Sequence, residues 1–315
     1  MAEIHNELEY INTMASENPL GMIEKAEQRY RNIIGGVAAR VLRAHGRKLI
    51  LLAGPSASGK TTTAQKIADA LGKAGVETHR VSLDDFYLPE GEMPLLPDGS
   101  RDLEGVNALD LSLLQGCLQS LMQTGRGLLP TFDFAAGKRG ESRELQLDAE
   151  DMLVVEGLHA LHPRLLDMLD GGALCGEQTT KVYISVASRI YNMKQEIILN
   201  KRSLRLARRI LRDSQFRKSS AEETIEMWPA VARGEEQWLT PYKPNADVLI
   251  NSIHIYEPCV FREYLLPLLN VCGSSPAKRL AWALEQFLPL PAASVPPDSL
   301  LREFLGAAGE NVNTL

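Results

Sequence analysis

The sequence predicts an α/β protein built on a mostly parallel sheet with helices on both faces. Three observations predict it. Short apolar runs ending in glycine or an acid alternate with amphipathic stretches at helical spacing, which is the pattern of βαβ units. One of these runs feeds straight into "GPSASGKTT" at residues 54–62, a small-residue turn followed by lysine and threonine. A dense arginine run sits between later strand-like segments, on a stretch with helical periodicity.

Taken in order, residues 21–46 read as a helix interrupted at Gly35 and Gly36. "KLILLAG" is a buried strand, and "TTTAQKIADALGKAG" is an amphipathic helix stopped by glycine. "VETHRVSLDD", "DMLVVEG", "KVYISV" and "ADVLINS" supply four more strands. Helical stretches fill 106–124, 158–170 and much of 188–237, while 86–104, rich in proline, glycine and acids, reads as a long loop of the binding or lid kind. From residue 276 the chain reads as a helix, a proline-rich turn and a short helix. The expected organisation is an N-terminal helical extension over 1–47, a nucleotide-binding domain over 48–273 with a lid at about 188–240, and a C-terminal helical extension over 274–315.

Composition narrows the class. With 315 residues, 44% of them hydrophobic, the chain has room for a full core, and its net charge of -6 argues against a surface built to coat nucleic acid or an anionic membrane. Cys117, Cys175, Cys259 and Cys272 are scattered, without the pairing of a zinc site, which fits a reducing compartment. No apolar stretch approaches bilayer length, and the first residues lack the layout of a signal peptide. A cytoplasmic protein is expected, with no membrane or nucleic-acid partner.

The quoted turn is G-x-x-x-x-G-K-T from Gly54 to Thr61, between a predicted strand and a predicted helix. That context defines a phosphate-binding P-loop, so the fold is expected to be that of a P-loop NTPase. Gly54, Pro55, Ser56, Ala57, Ser58 and Gly59 let backbone N–H groups converge on phosphate oxygens. Lys60 reaches the β- and γ-phosphates, Thr61 ligates Mg²⁺, and Thr62 continues the helix N-terminus. Asp84 and Glu156 each come after an apolar strand and reach the sheet edge where ligands bind in open parallel sheets, the first to take a hydroxyl proton and both to help hold Mg²⁺. A GTPase reading fails, because "DLEG" comes after a loop rather than a strand and "NKRS" has serine where aspartate is needed.

The run 200–218 carries net charge +7, leaving -13 on the remainder. Arg205, Arg208, Arg209 and Arg212 recur at i, i+3, i+4 and i+7, so they share one helical face. A solvated basic face and an RNA-binding helix are alternatives, but the run lacks the aromatic residues of a stacking platform. The favoured reading is a lid whose arginines close over ATP and neutralise the phosphoryl group in transfer. His159 and His162 read as ordinary helix residues, and Trp228 and Trp238 as packing against the lid base.

In this order, "GPSASGKTT", "SLDDFY", "LPTFDF", "VVEGLHAL", "RLARRILRD" and "ADVLINS" resemble the uridine kinase and phosphoribulokinase family of P-loop kinases. The longer segments "RDSQFRKSSAEETIEMWPAVARGEEQWLTPY" and "PPDSLLREF" resemble bacterial uridine-kinase-like nucleoside kinases. The resemblance implies Asp84 as catalytic base and Glu156 as the Mg²⁺-associated acid. Glu104 would hold sugar hydroxyls, with Tyr87 and Phe132 in the substrate pocket. Arg208 is assigned to the nucleotide, and Arg209, Arg212 and Arg217 to substrate and lid. It further implies ATP as donor, Mg²⁺, a small-molecule acceptor, and a homo-oligomer. Phe132 stands where pyrimidine nucleoside kinases place tyrosine, and Gly137, ahead of Lys138 and Arg139, stands where they place a base-contacting histidine. Lys218 and Ser219 replace a glycine and a lid arginine. Two polar groups that would read a base are therefore absent, and phosphoryl transfer is better supported than base identity. The expected function is phosphorylation of a primary hydroxyl on a nucleoside. A sugar, sugar phosphate or pantothenate-like acceptor is the alternative that Lys138 and Arg139 favour, and a P-loop regulatory or RNA-binding protein is the alternative from another class.

Overall fold

A computed structural model describes residues 4–44, 49–96, 99, 101–134, 136–170 and 179–306. Cys175 and the stretch 307–315 lie outside the described residues. Helices α1 (Leu8–Glu17) and α2 (Pro19–Arg43) precede β1 (Leu49–Ala53), α3 (Lys60–Gly72) and β2 (Thr78–Ser82). Next come α4 (Leu111–Thr124), β3 (Arg126–Leu129), β4 (Phe132–Asp133), β5 (Lys138–Arg139), β6 (Arg143–Gln146), β7 (Met152–Gly157) and α5 (Pro163–Asp170). The chain continues through β8 (Thr179–Ser185), β9 (Ile190–Tyr191), β10 (Ile197–Leu199), α6 (Lys201–Phe216) and α7 (Ala221–Trp238). It closes with β11 (Val248–Asn251), α8 (Glu257–Asn270), α9 (Ser275–Glu285) and α10 (Arg302–Leu305).

The expected α/β architecture is what forms. β11, β8, β1, β7 and β2 lie side by side in that order, every pairing parallel. Central strands of such a sheet are covered on both faces, so their residues divide by parity between two cores. Ile50 and Leu52 of β1 pack on one side with α2, α3, α6 and α8, while Leu49, Leu51 and Ala53 pack on the other with α4 and α5. The terminal helices join the first core: Tyr30 of α2 and Phe304 of α10 are fully buried in it. Register aligns the carboxyl ends of three strands, since Leu52 and Ser82 both pair with Glu156. The segments leaving β1, β2 and β7 are thereby delivered to one edge of the sheet.

Four local expectations change. α2 runs unbroken through Gly35 and Gly36. Interior glycines cost a helix about 1 kcal/mol each, but this one buries Met22, Ile23, Tyr30, Ile34, Val37 and Val41, each contributing roughly 1.5–3 kcal/mol. The helix expected from 106 begins at Leu111, where the Asp110 side chain caps it by accepting from the Leu113 N–H. Residues 190–199 form the antiparallel β9–β10 pair instead of helix. After it Asn200 caps α6, and a capping box of Ser220 and Glu223 starts α7. The pairs β3–β6 and β4–β5 carry too few residues to show an alternation in sequence.

α6 is packed into the body of the protein rather than presenting a solvated basic face. Its leucines are buried, and so are Arg205, Arg208 and Arg209 on the opposite side. Among the described residues no helix is long and apolar enough to cross a membrane.

Candidate active site

The turn after β1 is shaped by two left-handed residues, Ala57 at φ 55° and Gly59 at φ 90°. Gly59 takes that conformation without a steric penalty, and α3 starts at the next residue, so its free N–H groups face the turn. Lys60 lies on this rim, its Nζ donating to the Pro55 carbonyl at 3.3 Å. Backbone amides, a helix N-terminus and an ammonium group thus meet at one concavity, the physical requirement for holding a polyphosphate.

The two acids arrive beside it. After β2 a single 3-10 turn, Leu83–Phe86, starts at Ser82, whose Oγ accepts from the Asp84 N–H at 3.3 Å. A Cβ on Gly157 would lie 2.6 Å from Leu83 Cβ, so glycine there permits the ends of β2 and β7 to approach. Glu156 is 2% exposed; it accepts from Thr61 Oγ1 at 3.3 Å and faces Arg80 NH1 at 3.4 Å. Burial, reinforced by the nearby Asp84 charge, pushes the Glu156 carboxyl up to about 7, against the pull of Lys60 and Arg80. Thr61, Glu156 and Asp84 offer hard oxygen donors of the kind Mg²⁺ takes. Among the described residues no group of three His, Cys, Asp or Glu forms an all-protein cage.

The raised Glu156 carboxyl links stability to pH. An acid whose folded-state value exceeds its unfolded one favours folding at low pH, and that contribution is lost as pH rises through about 7. Glu156→Gln is therefore expected to stabilise the protein without ligand at pH 8, by about 1–3 kcal/mol or several degrees in Tm, and to have little effect at pH 5. Equal shifts at both pH values, read by thermal melts, would refute this account of Glu156.

A cavity of about 960 Å³ opens from the phosphate loop. Ser56, Lys60, Asp84, Glu104, Arg209, Arg212 and Arg217 are among its lining residues. Burial, with help from Glu235 and Asp84, raises the Glu104 carboxyl to about 7 despite Arg209 and Lys60. Its lining also carries aromatic rings: Tyr87, Phe132 and Phe134 sit with ring centroids 5.0–5.9 Å apart, and the Arg217 guanidinium lies 5.9 Å from the Phe134 ring. The Tyr87 hydroxyl donates to the Leu103 carbonyl at 3.1 Å, tying this wall to the loop that carries Glu104. Gly137 lies on the same wall.

The arginines divide differently from the even face expected. Arg212 and Arg217 pair with Asp213 at 2.8 and 3.6 Å, and Arg209 joins them at 3.1 Å while donating to Ser56 Oγ at 3.0 Å. Arg208, assigned from sequence to the nucleotide, is 0% exposed and lies behind the loop. It forms a bidentate pair with Glu257 at 2.6 and 2.9 Å and points at the Ala57 and Ser58 carbonyls, both at 3.4 Å. It supports the loop from below, where no ligand reaches. Arg205 likewise pairs with Glu235 and contacts the Ser56 carbonyl. Lys218, at the position where resemblance suggests glycine, adopts φ 55°, a left-handed conformation that glycine takes without strain. His159 and His162 are buried in a turn ahead of α5, and burial drives His159 down to about 3. Trp228 is buried with Arg205 over its ring.

Two further acids touch the loop and escaped sequence reasoning. Glu235 accepts from the Ser56 N–H at 2.8 Å, and Glu303 of α10 accepts from Thr62 Oγ1 at 2.6 Å and the Thr62 N–H at 3.3 Å. They stand 179 and 241 residues from these partners along the chain, so no local spacing marks them.

A parallel sheet whose central strand runs through a phosphate loop into a helix, beside two strand-end acids and an arginine-lined cavity, defines a P-loop kinase fold. More particularly, residues 49–171 match the model of the Phosphoribulokinase / Uridine kinase family. A uridine kinase of Saccharomyces cerevisiae is 27% identical over 209 residues, 65% of this chain. A uridine kinase of Staphylococcus aureus strain JH9 is 28% identical over 207 residues, 64% of this chain. The match spans 37% of the yeast enzyme's length and 86% of the staphylococcal one's. Among solved structures, a candidate fructose transport system kinase from Silicibacter sp. TM1040 superposes with a TM-score of 0.50 at 20% identity, over 69% of this chain and 98% of that one. That likeness concerns the fold.

Proposed function

We propose that the protein transfers the γ-phosphoryl group of ATP, with Mg²⁺, to a primary hydroxyl of a nucleoside. The observation that carries this reading is one cavity lined by Lys60 of the phosphate loop, Asp84, Glu104, three arginines and three aromatic rings. Lys60 and the loop amides hold the triphosphate. Thr61, Glu156 and Asp84 would hold Mg²⁺, which when bound would offset charge on the phosphate oxygens. Asp84 accepts the acceptor's hydroxyl proton as the new O–P bond forms and the bond to the β-phosphate bridge breaks, releasing ADP. Arg209, Arg212 and Arg217 neutralise the group in transfer, Glu104 takes sugar hydroxyls, and the base lies among Tyr87, Phe132 and Phe134.

The basic pair that favours an anionic acceptor points elsewhere: Arg139 pairs with Asp110 at 2.5 Å, and neither it nor Lys138 lines the cavity. Of the four arginines expected on one face of α6, three, Arg205, Arg208 and Arg209, are buried, which weighs against an RNA-binding helix. The test is an acceptor panel of nucleosides, sugars, sugar phosphates and pantothenate, with ADP release as readout. Nucleosides are expected to stimulate release, with modest discrimination among bases because Phe132 and Gly137 bring no polar side chain to the cavity. Stimulation only by a sugar phosphate would overturn the reading. Lys60→Ala is expected to lower kcat/KM by about 10² or more, and unchanged turnover would remove the nucleotide assignment.

A further inference from the structure

We propose that Glu303 is a built-in competitor for the donor's α-phosphate, so that ATP enters only when this carboxylate leaves the N-terminus of α3. The proposal rests on the reading that the loop binds a triphosphate. In that reading the γ end points at Asp84 and the acceptor cavity, so the rest of the donor extends the other way, past Thr61 and across the N–H and hydroxyl of Thr62. Those two donors are the groups that Glu303 Oε2 occupies, at 3.3 and 2.6 Å. A carboxylate and a phosphate cannot share them, since each needs the same hydrogens and like charges repel.

The contact belongs to a larger cover. Thr62 and Lys66, spaced i and i+4, lie on one face of α3, and Gly59 caps its start. Each meets the C-terminal segment. A Cβ at Gly59 would lie 2.5 Å from Leu300 Cδ1, Thr62 meets Glu303, and Lys66 Nζ lies 3.7 Å from Asp298. The segment is fastened on both sides of Glu303: Ser299 is buried, donating to Glu27 at 2.5 Å, and Phe304 is fully buried with Arg208 5.2 Å from its ring. Leu300, Leu301 and Leu305 are buried as well. Glu303 itself is only half-buried. The backbone therefore stays in place, and the freedom to yield resides in the Glu303 side chain. Other charged groups within the same surroundings are paired: Glu27 with Tyr256 and Ser299, and Arg208 with Glu257.

The test is ATP binding by titration calorimetry on the full chain, comparing wild type, Glu303→Gln, Glu303→Ala and Lys60→Ala. Release from competition is expected to tighten ATP binding about threefold in Glu303→Gln, which keeps an acceptor but no charge, and about tenfold in Glu303→Ala. Without ligand, both variants are expected to melt at a lower temperature than wild type, because the helix N-terminus loses its anion. Unchanged or weaker ATP binding in both variants, alongside measurable wild-type binding that Lys60→Ala weakens, would overturn the competitor role and leave the nucleotide reading standing. Absence of ATP binding in wild type and in both Glu303 variants would overturn the two together. Should Glu303→Ala fail to fold, Glu303→Gln decides alone.

Discussion

Asp84→Asn is expected to lower acceptor-dependent ADP formation by about 10³-fold at saturating ATP, with the Kd for ATP moving less than a few-fold. The substitution keeps size and hydrogen-bonding atoms and removes the ability to take a proton, a role worth roughly 10²–10⁴ in rate. Asp84 lines the same cavity as the arginines, and its turn is fixed by Ser82 and by the close contact of Leu83 with Gly157. The fold should therefore survive the change. The split between turnover and binding is decisive: equal loss of both would mean that the part of Asp84 in holding the metal, and not its taking of the proton, accounts for its effect. Raising pH should not rescue the variant, because asparagine has no titrating group to restore.

The second large effect concerns stability. Arg208→Met is expected to destabilise the protein by about 3–5 kcal/mol and to lower Tm by about 10 °C. Arg208 and Glu257 are each 0% exposed, and the guanidinium also donates to the Ser252 carbonyl at 2.9 Å and Ser252 Oγ at 3.2 Å. Removing the cation leaves the Glu257 carboxylate buried with, among the described residues, the backbone N–H of His254 as its remaining hydrogen-bond donor, at 3.0 Å. The double variant Arg208→Met/Glu257→Gln is expected to recover part of the loss, since neither charge then remains. This experiment also checks the reassignment of Arg208. If the residue contacted nucleotide, the single variant would keep its melting temperature and lose ATP affinity; the buried pair predicts the reverse order of effects.

The elements that sequence reasoning placed correctly share a property: each carries its own signal within about a dozen residues. β1 and α3 surround a loop of small residues, β7 is six consecutive buried residues, and α7 announces itself with Ser220 and Glu223. The misplacements have the opposite character. The glycine pair in α2 looks like a break until the buried stripe on that helix is counted against it. The strands of the β4–β5 pair are two residues each and acquire their meaning by bringing Phe132 and Gly137 to one cavity wall. Arg208 and Arg209 are neighbours on a helix, yet one is sealed behind the phosphate loop and the other opens onto the cavity.

This chain's sequence unaided determines the phosphate loop, the strand-end acids and a parallel α/β sheet to carry them, because backbone conformation and burial period are local and written in neighbouring residues. Only the tertiary structure decides which charges are free to act. Glu235 and Glu303 reach the loop across long stretches of chain, and the arginines of α6 are sorted into supports and cavity groups by the carboxylates they meet. Charge pairing depends on distance and desolvation between segments remote in sequence, and those quantities exist only once the chain has folded.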